Sequence, residues 1–396
     1  MSLVSILFWA AAALIFYTYV LFPAMVFLRG FLRNRPYQQA KITPHVSTII
    51  AAYNEADSIG SKLDNILALD YPRDRLEVII ASDGSDDGTD AIVRGYAGQG
   101  IRLLSLPRQG KAAALNAAVE ASNGKILAFS DANSLFAPNA IRALVCPFAD
   151  PQVGGVAGNQ CYVARHSVDG SSDGEQSYWN FEQKLKRFQS RAGNAISATG
   201  AIYAIRRELF CPVPAGVTDD FVISTRIIAQ GYRLVFAADA IAYEPVIGVS
   251  SIEFDRKVRV ITRGLQAVLV MRELLNPFRY GFYAIQIFSH KVLRRLVVIP
   301  LLVLLLVSPL LWGNGPIYQA ATLGQIVFYG CAVLGALSGR TRLGQLKPFA
   351  IPFFFCMVNA AALLAIFNML RGYRIECWEP QHQAKDAGAS ITMRAS

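Results

Sequence analysis

The sequence predicts an α/β domain with a parallel sheet, set between hydrophobic segments long enough to cross a membrane. Hydrophobic residues make up 53% of the 396 positions and charged residues only 17%, whereas a soluble domain carries roughly 25% charged residues. The apolar residues are concentrated in long runs at the two ends of the chain. Between these runs, over residues 42–250, short apolar stretches alternate with helical patterns, which predicts strands covered by helices on both faces.

The first apolar run covers residues 3–28 and contains no charged residue. A hydrocarbon core of ~30 Å requires about 20 residues of helix, so the run is long enough to span it. Arg29, Arg33 and Arg35 follow the run, whereas a cleaved signal peptide carries its positive charge before it. We therefore expect residues 1–28 to form a transmembrane helix whose following side is cytoplasmic.

Three further apolar runs, 296–312, 317–337 and 349–370, predict three C-terminal transmembrane helices over residues 296–370. Residues 251–295 mix basic, aromatic and apolar positions, which favours amphipathic helices at the cytoplasmic interface. The plan is that of a multi-pass protein of the inner (plasma) membrane with a cytoplasmic domain. Four spans place the tail, 371–396, outside, although Arg371 and Arg374 border the last one. Either the tail departs from the positive-inside rule or one segment does not fully cross.

Four strands and three helices are predicted in the central domain. The apolar runs 46–52, 76–82 and 126–130 are typical of buried parallel strands, and 101–106 is predicted as a further strand. Helices are predicted over 57–69, 87–97 and 111–121. Ligands bind at the carboxyl ends of the strands in such sheets. The residues directly after each strand are therefore the first candidates for a site.

Polar residues follow three of these strands. The sequence reads YNE after the first, DGSDDGT after the second and DAN after the fourth. Each motif alone is typical of a turn or a helix cap. Three such motifs at neighbouring strand ends together indicate a pocket with an acidic floor.

Charge and cysteine content narrow the classes of partner. The net charge of +10 suits anionic lipid headgroups or an anionic substrate. Aromatic RNA-binding motifs are absent from the sequence, so we expect no nucleic-acid partner. The six cysteines are scattered without metal-ligand spacing, which excludes a small secreted module built on disulfides.

Five motifs in this order carry a resemblance: AAYNE, SDGSDDGT, the lysine of RQGKAAALN, SDAN and TDDFVIS. The chain resembles the inverting, membrane-bound family-2 glycosyltransferases, a group that includes cellulose, hyaluronan and poly-N-acetylglucosamine synthases, over residues 45–265. The resemblance implies a GT-A (Rossmann-like) domain and a hexosyltransferase that moves a sugar from a nucleotide-sugar, a UDP-sugar by resemblance, to a growing exopolysaccharide. Two alternatives stay open: transfer of a single sugar to a lipid-linked acceptor, and a non-catalytic membrane scaffold of a polysaccharide export system. Membrane lipids and export proteins are the other expected partners.

The resemblance implies a donor-binding set formed by Ala51, Tyr53, Glu55, Asp83, Lys111, Asp131 and Arg263. The side-chain types agree with this role. The Tyr53 ring can stack on a base, and the carboxylates of Glu55 and Asp83 can accept hydrogen bonds from base and ribose. Lys111 opens a helix, where the backbone N–H groups and the helix dipole favour a phosphate.

A metal site is implied by the motif Asp131-Ala132-Asn133, which stands where the family has Asp-x-Asp. The expected ion is Mg²⁺ or Mn²⁺, bound between Asp131, Asn133 and the donor phosphates. A divalent cation there acts as a Lewis acid on the departing diphosphate. Asn133 replaces the second carboxylate by an amide oxygen, which still coordinates such ions but with less charge.

The catalytic residues are predicted at the start of a helix, in Thr218-Asp219-Asp220, where the family has Thr-Glu-Asp. Thr218 is a plausible N-cap. The resemblance implies that Asp220, next to Asp219, takes the proton from the acceptor hydroxyl while the anomeric carbon inverts.

Acceptor contacts are predicted at two places. Tyr178 and Trp179 can stack on a sugar ring, although packing at a membrane interface explains the same aromatics. Thr199 and Gly200 are small enough to let the acceptor approach closely.

Two departures from the family pattern lie in the basic segment 256–264. Arg263 matches the arginine of Gln-x-x-Arg-Trp and is expected to bind the diphosphate, but Val260 stands for the glutamine and Gly264 for the tryptophan. In the polymer synthases that tryptophan lies under the acceptor sugar, so these departures favour single-sugar transfer. A helix on lipid headgroups also explains the basic run.

Overall fold

A computed structural model describes residues 2–163, 171–245, 250–339, 341, 344 and 346–372, of which 163, 171–180, 245 and 250–253 are described by their backbone alone. The strands are β1 Val46–Ala52, β2 Leu76–Asp83, β3 Ile101–Leu106, β4 Ile126–Asp131, β5 Leu135–Phe136, β6 Val153–Val163, β7 Tyr203–Arg206 and β8 Arg233–Pro245. The helices are α1 Leu3–Phe16, α2 Phe22–Leu32, α3 Ala56–Leu67, α4 Thr89–Arg94, α5 Lys111–Glu120, α6 Ala140–Val145, α7 Ser171–Ala192, α8 Asp219–Ala229, α9 Ser250–Val270, α10 Pro277–Tyr280, α11 Phe282–Ile287, α12 Arg294–Leu296, α13 Val298–Leu310, α14 Pro316–Ser338 and α15 Lys347–Leu370.

All eight strands form one sheet in the order β3-β2-β1-β4-β7-β6-β8-β5. β1 lies parallel to both β2 and β4, with Ala51 opposite Ala81 on one side and Asp131 on the other. This register brings the carboxyl ends of the three predicted strands to one edge, as the sequence indicated. The sheet is mixed rather than wholly parallel, because β7 pairs antiparallel with β4 and β6. An apolar run predicts a strand but carries no information about its direction.

The two faces of the sheet bury separate cores, which confirms the prediction of helices on both sides. Side chains alternate along each strand: Ile49 of β1 packs in one cluster with Leu115 of α5 and Val222 of α8, whereas Ile50 packs in the other with Leu63 of α3. The strands are thus held from both faces, and their carboxyl ends are fixed relative to one another.

Within the part of the chain that the structure describes, three helical segments are long and apolar enough to cross a membrane: Leu3–Leu32, Pro316–Ser338 and Lys347–Leu370. The first continues from α1 into α2 through a π-helical stretch, Tyr17–Leu21. The predicted span 296–312 is different. α13 has only 13 residues, or about 20 Å at 1.5 Å per residue, and joins Phe282–Leu296 at a bend of 48°.

Phe282–Leu296 and Val298–Leu310, which we call the bent pair, run along the N-terminal helix in the opposite direction. Tyr17 and Ser289 share a hydrogen bond of 2.8 Å between their hydroxyl oxygens, and Phe8 packs against Val307 and Leu311. As the chain proceeds from Ser289 to Leu311, its contacts thus move from Tyr17 back toward the start of α1. The pair therefore resembles a single bent span, which begins well before the predicted residue 296.

α9 connects the central domain to the last apolar helix. Val258 and Ile261 pack against Ala361 and Ala365 of α15, whereas Val268 belongs to a core cluster of the sheet. α9 lies in the segment predicted to form interfacial amphipathic helices, and it has one face toward the sheet and another toward α15. Of the predicted tail, only residues 371 and 372 are within the described residues.

Candidate active site

Asp83, at the end of β2, organises the loop that follows β3. Its carboxylate accepts the backbone N–H of Gln109 at 2.7 Å and that of Gly110 at 2.9 Å, and the Arg108 guanidinium also pairs with it. The Asp83 side chain is only 1% exposed. In this arrangement Asp83 positions the residues leading into α5. Its predicted contact with the nucleobase of the donor stays a prediction.

Tyr53, Asn54 and Glu55 follow β1 beside this loop. The Arg108 guanidinium lies over the Tyr53 ring, 3.3 Å from its centroid. Asn54 adopts a left-handed backbone with φ 52 and donates to Asp86 at 2.7 Å, which ties the first two motifs together. The Glu55 carboxylate is buried and accepts the Ser58 hydroxyl. Arg108 was missed by the sequence reasoning, although a basic residue three positions before Lys111 was a usable signal.

Ala51 lies inside the sheet. It is 3% exposed and belongs to the core cluster that contains Ile49. Any contact of Ala51 with the donor would therefore have to come from its backbone at the end of the strand, and its predicted role in donor binding stays a prediction.

Lys111 connects two motifs that are far apart in the sequence. Its ammonium nitrogen lies 2.7 Å from Oδ1 of Asp131 and 3.2 Å from Oδ2 of Asp219. Burial opposes the positive charge, but the two carboxylates outweigh it and raise the pKa of Lys111. The ammonium therefore stays charged at the point where the end of β4 meets the start of α8.

Asp220 lies beside this cluster at the first turn of α8. Burial, with the neighbouring Asp219 charge, raises the pKa of Asp220 to about 6, and the ammonium of Lys111 opposes the rise. The Phe221 N–H donates to Oδ1 of Asp220 at 2.7 Å. A general base works best with a pKa near the operating pH, so Asp220 is suited to that role.

Thr218 does not cap α8 with its side chain, contrary to the sequence expectation. It stands at the N-cap position with extended backbone angles, but its hydroxyl makes no capping hydrogen bond. Asp220 supplies an acceptor for the Phe221 N–H instead. The Phe221 N–H, one of the donors that an N-cap side chain can bind, therefore has its acceptor in Asp220.

Gly200 allows the chain before β7 to lie directly against Asp131. A Cβ atom at Gly200 would be 2.5 Å from Oδ2 of Asp131, closer than any side chain tolerates. The neighbouring Thr199 has a buried hydroxyl without a hydrogen-bond partner among the described residues. Thr199 and Gly200, two of the four predicted acceptor residues, therefore lie next to Asp131, the proposed metal ligand. The side chains of the other two, Tyr178 and Trp179, are outside the described part of the structure.

Lys62 supports the turn after β4, a role that its position in the sequence does not indicate. Its fully buried ammonium donates to the Ser130 hydroxyl at 2.7 Å and to the Ser134 carbonyl, and it lies 3.8 Å from the Phe136 ring centroid. Burial lowers the pKa of Lys62 to about 7, and the charges of Asp131 and Glu244 oppose this shift. On a helical pattern alone a lysine reads as a solvated position.

Arg263 ties α9 to the entrance of α8. Its Nη2 donates to the Val217 carbonyl at 2.7 Å. At the next residue, Gly264, a Cβ atom would be 2.5 Å from Nη2 of Arg295. The space beside Gly264, where the resembled family has a tryptophan, is thus occupied by a guanidinium.

The residues after β4 fit a divalent metal only as part of a site. No group of three or more His, Cys, Asp or Glu side chains suited to a metal occurs in the described ranges. The Asp131 side chain is 32% exposed and Asn133 is half-buried. Such an oxygen pair is typical of Mg²⁺ or Mn²⁺ sites in which substrate phosphates provide further ligands.

Comparison with known proteins agrees with this geometry. Residues 47–211 match the family model glycosyl transferase family 2. Two curated relatives are named poly-beta-1,6-N-acetyl-D-glucosamine synthase. The one from Staphylococcus aureus (strain MSSA476) is 27% identical over 226 residues, which cover 55% of this chain and 52% of the relative. The one from Staphylococcus epidermidis is 26% identical over 225 residues, covering 54% and 53%. The chain spans about half the length of the curated relatives it matches.

A solved structure covers far more of the chain. The mannosyltransferase PcManGT from Pyrobaculum calidifontis, in complex with GDP-Man and Mn²⁺, aligns with 93% of this chain and 100% of its own, at 26% identity and a TM-score of 0.69. The fold is therefore a GT-A domain with attached apolar helices.

Proposed function

We propose that this protein is a metal-dependent, inverting glycosyltransferase that adds sugars from a nucleotide-sugar to a growing polysaccharide. The observation that carries the proposal is the Lys111 ammonium held between Asp131 and Asp219, next to Asp220. Three motifs separated by up to about a hundred residues meet there at one edge of the sheet. Sugar transfer from a diphosphate donor requires a positively charged group, a carboxylate that binds a metal and a general base. Lys111, Asp131 and Asp220 are the side chains proposed for these roles.

The donor is assigned to the ends of β1, β2 and β4. The nucleobase of the donor lies near Tyr53, Glu55 and the loop that Asp83 holds. The diphosphate of the donor lies at the start of α5. Lys111 can transfer one of its hydrogen bonds from Asp131 or Asp219 to a phosphate oxygen, and Arg263 lies on the adjoining helix. Mg²⁺ or Mn²⁺, when bound at Asp131 and Asn133, supplies positive charge to the leaving diphosphate.

We assign Asp220 the role of general base, which accepts the proton of the acceptor hydroxyl. With a pKa of about 6, it is ionised at neutral pH yet still basic enough to accept a proton in the transition state. The hydroxyl attacks the anomeric carbon on the face opposite the diphosphate, which inverts its configuration. Thr199 and Gly200 border the acceptor side, and Tyr178 and Trp179 are proposed to stack on the acceptor.

A polysaccharide is the acceptor we favour, because the curated relatives are named as polysaccharide synthases. Transfer of one sugar to a lipid-linked acceptor is the second candidate. It is favoured by Gly264 and Arg295, which replace an aromatic platform by a guanidinium. The scaffold alternative is not favoured, since the charged residues of the site are retained and converge.

The apolar helices support a location in a membrane. We propose a multi-pass arrangement in the inner membrane with the GT-A domain in the cytoplasm. Export partner proteins are a further expectation of a polysaccharide product.

The test is release of nucleoside diphosphate by the purified protein in lipid nanodiscs. UDP-glucose, UDP-N-acetylglucosamine, UDP-galactose and GDP-mannose are supplied with Mg²⁺, with Mn²⁺ or with EDTA. Metal-dependent release from one donor is expected, together with a product that contains several donor sugars. A product with a single added sugar supports the second candidate, and no release from any donor with membrane lipid extract present contradicts both.

A further inference from the structure

The Arg108 guanidinium engages two side chains that are expected to contact the nucleobase of the donor. It lies over the Tyr53 ring, 3.3 Å from the ring centroid, and it also pairs with Oδ2 of Asp83. The Arg108 side chain is 27% exposed, whereas the Asp83 side chain is 1% exposed. One partly exposed cation therefore covers a stacking surface and caps a buried carboxylate.

The acceptor capacity of Asp83 is taken up by donors of the loop 108–110. Oδ1 accepts the N–H of Gln109 at 2.7 Å and that of Gly110 at 2.9 Å. Oδ2 accepts the Gly110 N–H, also at 2.9 Å, together with the Arg108 guanidinium. A carboxylate offers about four lone-pair sites. An N–H group of a nucleobase can therefore reach Asp83 only when one of these donors leaves.

The backbone of this loop is held in place, so the Arg108 side chain is the donor that can move. Gly84, with a left-handed φ of +71, lies against the loop, and a Cβ atom there would be 2.9 Å from the backbone nitrogen of Arg108. Gln109 and Gly110 lead directly into α5, which fixes their N–H groups. An arginine side chain, by contrast, has many rotamers. We therefore expect the guanidinium to leave Asp83 while the backbone donors stay.

We propose that Arg108 occupies the nucleobase subsite of the empty protein and that the nucleobase of the donor displaces it. The proposal rests on the function proposed above, which places a nucleobase at Tyr53 and Asp83. The base then stacks on the Tyr53 ring in place of the guanidinium and donates an N–H to Oδ2 of Asp83. Without a donor, Arg108 neutralises the Asp83 charge, which is costly when buried and unpaired. Arg108 thus competes with the donor and lowers its affinity.

The test compares nucleotides with a diphosphate that has no base, so it does not depend on turnover. Parent and variants in lipid nanodiscs are titrated calorimetrically with UDP, GDP and inorganic pyrophosphate in the presence of Mg²⁺. Arg108→Ala clears the ring of Tyr53, and Arg108→Lys keeps a cation for Asp83 in case the alanine variant does not fold. Arg102→Ala is the matched control, because Arg102 is an exposed arginine of β3 that pairs with Glu77 at 3.0 Å.

We expect Arg108→Ala to bind the preferred nucleotide about fivefold more tightly, because a partly exposed cation–π contact no longer competes with the base. Arg108→Lys should show a smaller gain, since an ammonium covers less of the ring than a planar guanidinium. The control should bind nucleotides as the parent does, and pyrophosphate should bind every protein alike. Unchanged or weaker nucleotide binding in both Arg108 variants, or an equal gain for pyrophosphate, would overturn the proposal.

A double-variant cycle shows whether the competition takes place on the Tyr53 ring. Tyr53→Ala should weaken nucleotide binding, and the addition of Arg108→Ala should then bring a smaller gain than it brings in the parent. Nucleotide binding by the parent separates this proposal from the proposed function. A parent that binds UDP or GDP, with no gain in the variants, refutes only the role of Arg108, whereas a set of folded proteins that bind neither nucleotide counts against both. Elution from gel filtration at the position of the parent identifies the folded variants.

Discussion

The substitution Asp220→Asn is expected to lower turnover by several orders of magnitude and to stabilise the protein at the same time. Burial raises the pKa of Asp220 from its ordinary 3.8 to about 6, so the folded state holds this carboxylate charged at a cost. The two pKa values differ by about 2, and each unit corresponds to about 1.36 kcal/mol. Because the side chain is only half-buried by its surface exposure, we expect a gain of about 2 kcal/mol for the neutral amide.

The sign of the pH dependence follows from the raised pKa. Well below pH 3.8 the carboxyl is protonated in the folded and unfolded chain, and it contributes no difference. Between about pH 4 and pH 6 the unfolded chain ionises this group while the folded chain keeps it protonated, so the stability of the parent falls relative to the variant, and above pH 6 the loss is complete. We therefore expect the stabilisation by Asp220→Asn to be fully present at pH 8 and mostly lost at pH 4.

The assay is thermal unfolding in detergent at pH 4, 6 and 8, together with nucleoside diphosphate release at pH 7.5. At pH 8 the variant should melt about 4–8 °C above the parent, and its turnover should fall by about 10²–10⁴. Asp57→Asn is the control, because Asp57 is an exposed aspartate in the first turn of α3 and should change neither quantity appreciably. A variant that melts lower at pH 8, or one that retains turnover, would refute the reasoning.

Three further outcomes are expected. Gly200→Ala places a Cβ 2.5 Å from the Asp131 carboxylate, so the metal concentration for half-maximal activity should rise about tenfold; Gly98→Ala, with open space around it, should leave it unchanged. Lys62→Met removes the buried donor to Ser130 and Ser134 and should destabilise the protein by about 1–3 kcal/mol, read as a lower melting temperature, whereas Met at the exposed Lys125 should not. Removal of divalent cations with EDTA should abolish nucleoside diphosphate release, and excess Mn²⁺ or Mg²⁺ should restore it; release that persists in EDTA would exclude a required metal.

The elements that the sequence predicted are those with strong local signals. β1 to β4 lie within a residue of their predicted bounds, and for β1, β2 and β4 the reason is that buried strands leave apolar runs in the sequence. The acidic strand ends could be placed at one edge because neighbouring parallel strands share a direction. β7 and its antiparallel pairing with β4 could not be predicted, since strand order depends on contacts between distant segments.

The parts of the site that the sequence did not reveal depend on long-range contacts of single side chains. Lys111 could be placed at a helix start, but its pairing with both Asp131 and Asp219 requires the fold. Lys62 looks like a solvated helix residue, and its burial follows only from the turn that packs over it. Arg295 fills the space beside Gly264, and no spacing in the sequence connects these two positions.

The most direct test of the account is the anomeric configuration of the product. The purified protein in nanodiscs is incubated with its isotopically labelled α-configured donor, Mn²⁺ and membrane lipid extract, and the new linkage is examined by NMR. Attack assisted by Asp220 from the face opposite the diphosphate predicts a β-linkage in the parent and no labelled product in Asp220→Asn. A retained α-linkage, or labelled product formed equally by both proteins, would contradict the assignment of the site.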